Sequence, residues 1–310
     1  MTGLGTPHPG FCHQALLYSG TTEYLTQVPG FVEQGLAAAQ PVMVAVPAPK
    51  LNLVRRALRS DSGVQFANMA ELGRNPSRII PALGEFLGEQ RGSPARFVGE
   101  QYWPGRSAAE LAEVIRHESL INRAVAEYPV TLLCAYDVDA LPETSVADAW
   151  RTHPEIIVNG ILTPSHTYVP GDDVFADDQW PLSMPPEQRI VRDLHFDELS
   201  GLRSRIHFEA AAAGLQADRA DDLVLAVNEV ASNSILYAGG SGVLDLWRDG
   251  DGALVCEITD TGRITDPLVG RHAPGPGLEA RGLWLVNHLC DLVEIRSGLK
   301  GTTARLTVCI

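Results

Sequence analysis

The chain has almost no lysine and fewer basic than acidic residues, which excludes one kind of nucleotide site and disfavours nucleic-acid binding. Its 310 residues include two lysines, Lys50 and Lys300, and its formal net charge at pH 7 is −14. A phosphate-binding P-loop needs Gly-Lys followed by Ser or Thr, but Leu51 and Gly301 follow these lysines, so any nucleotide site must use another design. Nucleic-acid binding needs clustered Lys and Arg. A DNA-binding regulator is therefore disfavoured, also because no helix-turn-helix pattern is present.

Long apolar runs and paired cysteines are also absent. No run approaches the roughly 20 residues that a membrane-spanning helix needs, and Met1–Gly10 has no apolar signal core. No Cys-x-x-Cys pair occurs, which excludes a zinc site of that type. Cys134 and Cys256 lie in apolar runs, so we expect them to be buried small hydrophobic residues. Together these absences predict a cytoplasmic protein that binds neither membranes nor nucleic acid. The five cysteines are Cys12, Cys134, Cys256, Cys290 and Cys309.

The order of elements in the first half predicts an α/β domain. Helical segments alternate with short apolar runs such as Pro41–Pro47, which is typical of a mostly parallel sheet covered by helices. A stretch rich in proline and aspartate then marks a linker. We therefore predict a flexible N-terminus at 1–10, a first domain at 11–170, a linker at 171–189 and a second domain at 190–310.

The second half has the order helix, helix, hairpin, loop, helix, hairpin. Gly239 and Gly240 end its second helix, and Asp249–Gly252 is a strong hairpin signal between two alternating runs. This order predicts an α+β sandwich, with a mixed or antiparallel sheet and three helices.

The most informative pair of residues, Glu229 and Asn233, lies on the second of these helices. Positions i and i+4 share one helix face, so the carboxylate and the carboxamide point the same way from a helix rich in Val, Leu and Ala. A carboxylate that accepts a proton and an amide that holds a metal ion suit phosphoryl transfer. The same spacing also occurs on ordinary solvated helix faces.

Three further features follow this pair along the chain. Asp260-Thr261-Gly262 ends a strand and is, by itself, an ordinary turn signal. Arg263–Glu279 is a long irregular stretch of the kind that forms lids. Ala280–Leu283 then opens a helix, where a glycine and the helix N-terminus favour phosphate groups.

Residues 190–310 resemble the Bergerat-fold ATPases, which include gyrase and the histidine kinases. More narrowly they are similar to the anti-sigma factor/serine protein kinases of bacteria, particularly actinobacterial forms. The order and spacing of four motifs carry this resemblance. They are Asn228–Ser234 (NEVASNS), Asp260–Arg263 (DTGR), Arg281–Val286 (RGLWLV) and Gly301–Thr303 (GTT).

The resemblance implies a site for ATP and Mg²⁺. Glu229 would be the general base toward a partner's Ser or Thr hydroxyl, and Asn233 would bind the Mg²⁺ ion. Asp260 would bind the adenine amino group, and Gly262 would pack against the base. Thr303 would close the adenine pocket, and the lid would cradle the phosphates together with the amides of Arg281, Gly282 and Leu283.

The chain departs from the superfamily pattern at two positions. Ile264 stands where the wider superfamily has a second glycine, and Ala280 stands where a glycine is common, so we expect a stiffer lid. No phospho-acceptor histidine in a dimerisation helix pair is recognisable. His195 and His207 flank a single helix and are interpreted as structural, which argues against a histidine kinase.

Residues 11–165 resemble the MEDS sensory domain of DcmR-type proteins, a degenerate relative of RecA/KaiC-like ATPases. The missing P-loop agrees with this degeneracy. The resemblance implies a sensor, with a small molecule as the expected signal. The residues that carry it are His13, Tyr18, Gly35, Leu36, Gly99, Glu100, Trp103, Glu118, Asn122, Cys134–Asp137, His153 and Pro154.

Six of these residues are candidates for a sensor pocket. His13, Cys134, Asp137 and His153 would form a metal or ligand cluster if they converge, whereas a buried hydrogen-bonded network is the interpretation that the sequence favours. Trp103 and Tyr136 could line a pocket or fill a core.

The leading functional hypothesis is a signal-responsive anti-sigma factor. Its second domain would bind a sigma factor and phosphorylate a STAS-type anti-anti-sigma protein with ATP, under control of the first domain. The acidic charge suits basic protein partners, and a homodimer is common in this kinase family. The alternative is a non-catalytic ATP-binding module that acts by sequestering a partner.

Overall fold

The chain divides into two compact units, Met1–Ala176 and Asp177–Ile310. The computed structural model describes residues 8–170, 181–195, 199–272 and 281–310. No helix in these described ranges is long and apolar enough to cross a membrane. Of the predicted linker, residues 171–180 lie outside the described residues, while Ser183 contacts Arg305 of the second unit.

The first unit is built on a seven-stranded sheet with the order β3-β2-β4-β5-β1-β6-β7. All its neighbouring strands are parallel except β6 and β7, which form an antiparallel edge hairpin. The observed sheet is therefore mostly parallel, as predicted. The strands are Cys12–Tyr18 (β1), Val42–Val46 (β2), Val64–Asn68 (β3), Ala95–Gly99 (β4), Val130–Asp137 (β5), Glu155–Val158 (β6) and Ile161–Pro164 (β7).

Helices cover both faces of this sheet. A short 3-10 helix, Pro76–Arg78, precedes α4. Ser107 and Glu110 form a capping box that starts α5, in which each side chain bonds the backbone N–H of the other. The helices are Gly20–Ala37 (α1), Ala48–Ala57 (α2), Met69–Leu72 (α3), Ile79–Glu89 (α4), Ala108–Ala124 (α5) and Glu143–Thr152 (α6).

The two faces of strand β1 have different environments, because side chains alternate along a strand. Leu16 and Tyr18 pack in an apolar cluster with residues of α1 and α2. His13 points to the opposite face, where it contacts Asn122 of α5. The strand thus joins an apolar layer on one side to polar groups on the other.

The second unit has a five-stranded antiparallel sheet with the order β11-β12-β10-β9-β8. Three helices accompany it in the described part of the chain: Leu199–Ala213 (α7), Ala217–Tyr237 (α8) and Arg281–Leu289 (α9). The strands are Ile190–His195 (β8), Ser241–Arg248 (β9), Leu254–Asp260 (β10), Leu292–Gly298 (β11) and Gly301–Val308 (β12).

One apolar core lies between this sheet and the helices. Alternate residues of β10, such as Cys256 and Ile258, contribute to it together with Leu223 and Val227 of α8 and Val286 of α9. Asp260 continues the same alternation, so its side chain leaves the sheet on the helix side at the end of β10.

The pattern of apolar residues predicted the long elements and missed several short ones. Both hairpins of the second unit and the stop after α8 are as expected, with Gly239 and Gly240 at positive φ. Strand β3 is partly exposed and lacks a buried run, and β7 lies at the end of the predicted first domain, where the sequence lacks alternating periodicity. β8 immediately follows the predicted linker and was also missed.

Candidate functional site

Glu229 and Asn233 lie next to the N-terminus of α9. Both side chains are half-buried beside the stripe of α8 that packs on the core. Gly282, in the first turn of α9, faces them: a Cβ there would lie 2.9 Å from Glu229 Oε2 and 3.4 Å from Asn233 Nδ2. Glycine therefore lets the backbone of α9 approach both groups. The first amides of a helix lack intrahelical acceptors and attract anions.

The carboxylate of Asp260 is fixed by two hydrogen bonds. The Ser234 hydroxyl donates to Oδ2 at 2.6 Å, and the Gly262 N–H donates to Oδ1 at 2.8 Å. A Cβ on Gly262 would lie 2.7 Å from the Ala238 Cβ, so this turn packs too closely on the end of α8 for a larger residue. The sequence Asp-Thr-Gly thus holds one carboxylate in a set orientation.

Thr302, and not the predicted Thr303, lies beside Asp260. Thr302 is the cross-strand partner of Asp260, and its hydroxyl donates to the Gly262 carbonyl at 2.9 Å. Thr303 pairs instead with Thr259, with 3.1 Å between the two hydroxyl oxygens, on the opposite face of the sheet. Side chains alternate along β12, so Thr302 and not Thr303 shares the face of Asp260.

The described part of the predicted lid, residues 263–272, contacts neighbouring elements through its backbone. The Ile264 N–H donates to Ser297 Oγ at 2.7 Å, and Asn287 Nδ2 of α9 donates to the Gly270 carbonyl at 2.9 Å. Residues 273–280, which include Ala280, lie outside the described residues. Ile264 thus anchors the first part of the lid through its backbone.

In the first unit, four ligand-type side chains converge in the interior. His13, Glu118, Cys134 and His153 are all fully or almost fully buried, and one ligand atom from each lies within 4.8 Å of the others. His13 Nε2 is 3.3 Å from Glu118 Oε2 and 3.4 Å from Cys134 Sγ. Glu118 Oε2 is also 3.4 Å from His153 Nε2 and 3.5 Å from Cys134 Sγ. Cys134 is buried as predicted, but among polar groups.

The other nitrogen of each histidine faces a hydrogen-bond acceptor. His13 Nδ1 lies 3.0 Å from Asn122 Oδ1, and His153 Nδ1 lies 2.9 Å from the Ala149 carbonyl. Burial, followed by the nearby His153, lowers the pKa of His13 to about 4. Burial and then the charge of Glu118 raise the pKa of the Cys134 thiol well above its ordinary value.

A separate cluster of polar side chains lies at the C-terminal ends of the parallel strands. Lys50 Nζ of α2 is 2.5 Å from Glu100 Oε1 and 3.8 Å from Asp137 Oδ2, and it also contacts the Tyr18 hydroxyl. Burial raises the pKa of Glu100 to about 7, although Lys50 and Tyr18 oppose this shift. Open parallel sheets commonly bind ligands at this edge.

In comparisons with known protein families, each of the two units matches a different family model. The family model described as MEDS, MEthanogen/methylotroph, DcmR Sensory domain, matches residues 12–154. The model described as Histidine kinase-like ATPase domain matches residues 195–308. The chain combines a MEDS sensory domain with a histidine kinase-like ATPase domain. No curated protein matches the chain.

Two solved structures are among those similar to parts of the chain. The RsbU and RsbW domains of Rv1364c from Mycobacterium tuberculosis are 21% identical over 40% of this chain, with a TM-score of 0.31. The chain covers 32% of that protein, about a third of its length. The SiaB-SiaC complex from Pseudomonas aeruginosa is 13% identical over 38% of this chain and 88% of the matched one, with a TM-score of 0.31.

The residues of the ATPase domain fit an adenine nucleotide in two respects. Gly282 leaves room beside Glu229 and Asn233 that a Cβ would fill, and Asp260 presents a fixed carboxylate at the end of β10. The other predicted contacts differ in character. The Arg281 side chain is exposed, and the Leu283 side chain packs against the core, so their backbone amides are the groups available to phosphates.

The six residues predicted to form a sensor pocket in the MEDS domain lie in three separate environments. His13, Cys134 and His153 belong to the buried cluster, and the ring of Tyr136 packs edge-on against His153 with 5.6 Å between centroids. Asp137 belongs to the polar cluster that contains Lys50, at the C-terminal ends of the parallel strands. The half-exposed Trp103 is stacked under the guanidinium of Arg106, 3.6 Å from its ring centroid.

Sequence reasoning missed Glu118 as a member of the buried cluster. From the sequence alone it is recognisable only as a carrier of the MEDS resemblance, together with Asn122. Its signal was available, because Glu118 lies in a helical segment whose neighbouring residues Val114, Ile115, Leu120 and Ile121 are apolar and buried. A carboxylate at such a position calls for a charged or metal partner. The role of Ser234 in orienting Asp260 is likewise not apparent from the sequence.

Proposed function

We propose that the chain is a signal-responsive anti-sigma regulator, whose second unit binds ATP with Mg²⁺ and phosphorylates a partner protein on Ser or Thr. The observation that carries this proposal is the close approach of Gly282 to Glu229 and Asn233. It brings a carboxylate, a metal-binding amide and a helix N-terminus to one place, and phosphoryl transfer requires these groups together.

The side chains have separate tasks in this proposal. Asn233 holds Mg²⁺ through its amide oxygen, and Asp260 accepts a hydrogen bond from the adenine amino group through the carboxylate that Ser234 orients. The amides of Arg281, Gly282 and Leu283 bind phosphate oxygens. ATP supplies the γ-phosphoryl group, which passes to the partner's hydroxyl oxygen and leaves ADP. Glu229 takes the proton that this hydroxyl loses.

Thr302 closes the adenine side of the site in place of Thr303. Its hydroxyl already holds the Gly262 carbonyl, so it fixes the turn against which the base would pack. Gly262 contributes by having no side chain, since its Cα already lies close to the end of α8. Both residues therefore act by shaping the pocket.

We propose a sigma factor and a STAS-type anti-anti-sigma protein as the partners, the second being the phosphorylated one. The support comes from the motif order in 190–310 and from the histidine kinase-like ATPase model that matches it. The MEDS match to 12–154 supports control by a signal at the first unit. Interaction partners recovered from the native host by pull-down with the full chain would identify both proteins.

The test is a transfer assay on the recovered antagonist with radiolabelled ATP. Glu229→Ala should still bind Mg·ATP, but transfer should slow by about 10²–10⁴-fold, the usual contribution of a general base. Asp221→Ala removes an exposed carboxylate about two turns earlier on α8 and should transfer at the wild-type rate. Binding of Mg·ATP without transfer by the wild type would instead favour the non-catalytic module.

A further inference from the structure

The buried cluster of the first unit has the composition and the shape of a metal site. Two imidazoles, one thiol and one carboxylate face a common centre, and they come from strands β1 and β5, helix α5 and the residue that follows α6. These elements are far apart in the sequence. The fold itself therefore brings four metal-ligating groups together without any Cys-x-x-Cys motif.

Four of the six distances between the ligand atoms match the edges of a coordination tetrahedron. Zn–N, Zn–O and Zn–S bonds of about 2.0–2.3 Å give edges of about 3.3–3.6 Å in a tetrahedral site. Glu118 Oε2 lies 3.3, 3.4 and 3.5 Å from the ligand atoms of His13, His153 and Cys134, and His13 Nε2 lies 3.4 Å from Cys134 Sγ. The remaining two pairs, from His153 to His13 and to Cys134, lie within 4.8 Å. One ion between these atoms could therefore bind all four groups with an adjustment of the His153 ring.

Surrounding hydrogen bonds orient His13 for ligation. Asn122 Nδ2 donates to the carbonyls of Glu118 and Thr152, so its Oδ1 can only accept, and His13 Nδ1 must carry the proton. The Nε2 lone pair then points to Glu118 and Cys134. Metal-ligating histidines commonly have this arrangement, with one nitrogen held by an outer acceptor and the other on the ion.

His153 is oriented in the same way. Its Nδ1 faces the Ala149 carbonyl, which can only accept, while the Thr152 hydroxyl already donates to the Asp148 carbonyl. Nδ1 therefore holds the proton, and Nε2 faces Glu118 Oε2 without forming a hydrogen bond. Two imidazole lone pairs thus approach one buried carboxylate, an arrangement that a shared cation stabilises.

We propose that His13, Glu118, Cys134 and His153 form a closed tetrahedral site for a divalent transition-metal ion of the zinc class. Thiolate and imidazole ligands select such ions over Mg²⁺ and Ca²⁺, which prefer oxygen ligands. Because the protein supplies all four ligands and buries them, the site is structural or sensory and leaves no open position for catalysis. Occupancy would join α5 and the end of α6 to the sheet.

The test uses the full chain, stripped with a chelator and reloaded with Zn²⁺ or Co²⁺. We expect one ion per chain by elemental analysis, a higher thermal midpoint than that of the stripped protein, and tetrahedral Co²⁺ bands with a thiolate-to-cobalt band. Cys134→Ser should remove the thiolate band. Cys256→Ser, a buried cysteine of the second unit, should retain it.

Two further variants separate ligation from folding. Changing a residue that only hydrogen-bonds a metal ligand weakens metal affinity by about 10–100-fold, and Asn122→Ala should fall in this range. Glu118→Gln should keep the thiolate band but weaken metal affinity by more than this. The proposal is wrong if stripped and reloaded chains have the same thermal midpoint and no cobalt bands appear. It is equally wrong if Cys134→Ser, folded by circular dichroism, retains the band.

Discussion

At the scale of single residues, the side-chain alternation of one strand decides which threonine lies beside Asp260 in the candidate site. Thr302 is buried and bonds the Gly262 carbonyl, whereas Thr303 bonds Thr259 on the other face. The motif Gly-Thr-Thr was recognisable in the sequence. The facing residue was not, because the register between β10 and β12 is set by pairing that the sequence does not display.

Thr302→Ala should therefore weaken Mg·ATP binding, and Thr303→Ala should not. Loss of the Thr302 hydroxyl leaves the Gly262 carbonyl without its donor, at a cost of about 1–3 kcal/mol, and about 1.4 kcal/mol corresponds to tenfold in affinity. Titration calorimetry of the two variants measures the difference. Equal affinities would show that Thr302 does not shape the pocket.

Glu100 gives a pH-dependent contribution to stability. Its pKa in the folded chain is raised to about 7 from 4.5, chiefly by burial. The folded state therefore holds a proton that the unfolded chain has already released. Stability from this group is fully present below about pH 4.5 and is lost as the pH rises to about 7.

Urea unfolding at pH 5 and pH 8 tests this sign. One pKa unit corresponds to about 1.4 kcal/mol. Between pH 5 and pH 8, the free energy of unfolding of the wild type should therefore fall by roughly 2–3 kcal/mol more than that of Glu100→Gln. Glu127→Gln, an exposed carboxylate in the same unit, should behave like the wild type. Identical pH profiles for wild type and Glu100→Gln would contradict the prediction.

At the scale of elements, Arg219 joins the beginning of α8 to the end of α9. Its guanidinium donates to the Leu289 carbonyl and to Asp291 Oδ2, each at 2.8 Å. Leu289 is the last residue of α9, so this contact holds the helix at one end while Gly282 faces Glu229 at the other. The arrangement of the candidate site thus depends on a residue outside it.

Arg219→Ala should lower the free energy of unfolding by about 1–3 kcal/mol, the usual effect of removing charged hydrogen bonds. It should also weaken Mg·ATP binding, because α9 is less firmly held. Arg219→Lys, which keeps the charge but not the forked geometry, should be intermediate. Chemical denaturation and calorimetry measure both effects, and unchanged nucleotide affinity in a destabilised Arg219→Ala would separate the helix contact from the site.

The elements also show why part of the fold could be read from the sequence. The long helices and both hairpins of the second unit have clear periodicity and turn glycines, so their positions were predictable. The buried cluster was not, since β1, α5, β5 and α6 meet only through the strand order of the sheet. Glu118 lies on α5, and its contacts with His13, Cys134 and His153 can be recognised only once the strand order of the sheet is known.

At the scale of the whole molecule, each unit has its own hydrophobic core. A ligand that binds one folded unit stabilises it by mass action, by about 2.7 kcal/mol at a concentration 100 times its Kd. Mg·ATP should thus raise the unfolding midpoint of the wild type. Asp260→Asn, which replaces the carboxylate expected to hold the adenine amino group, should show a smaller shift by differential scanning calorimetry. An equal shift would place the nucleotide elsewhere.

The most direct measurement of the central claim is phosphoryl transfer from ATP to the antagonist protein by wild type, Glu229→Ala and Asp221→Ala, with Mg·ATP binding measured on the same samples. We expect all three to bind nucleotide and only Glu229→Ala to transfer more slowly, by about 10²–10⁴-fold. Transfer by Glu229→Ala at the wild-type rate would contradict it.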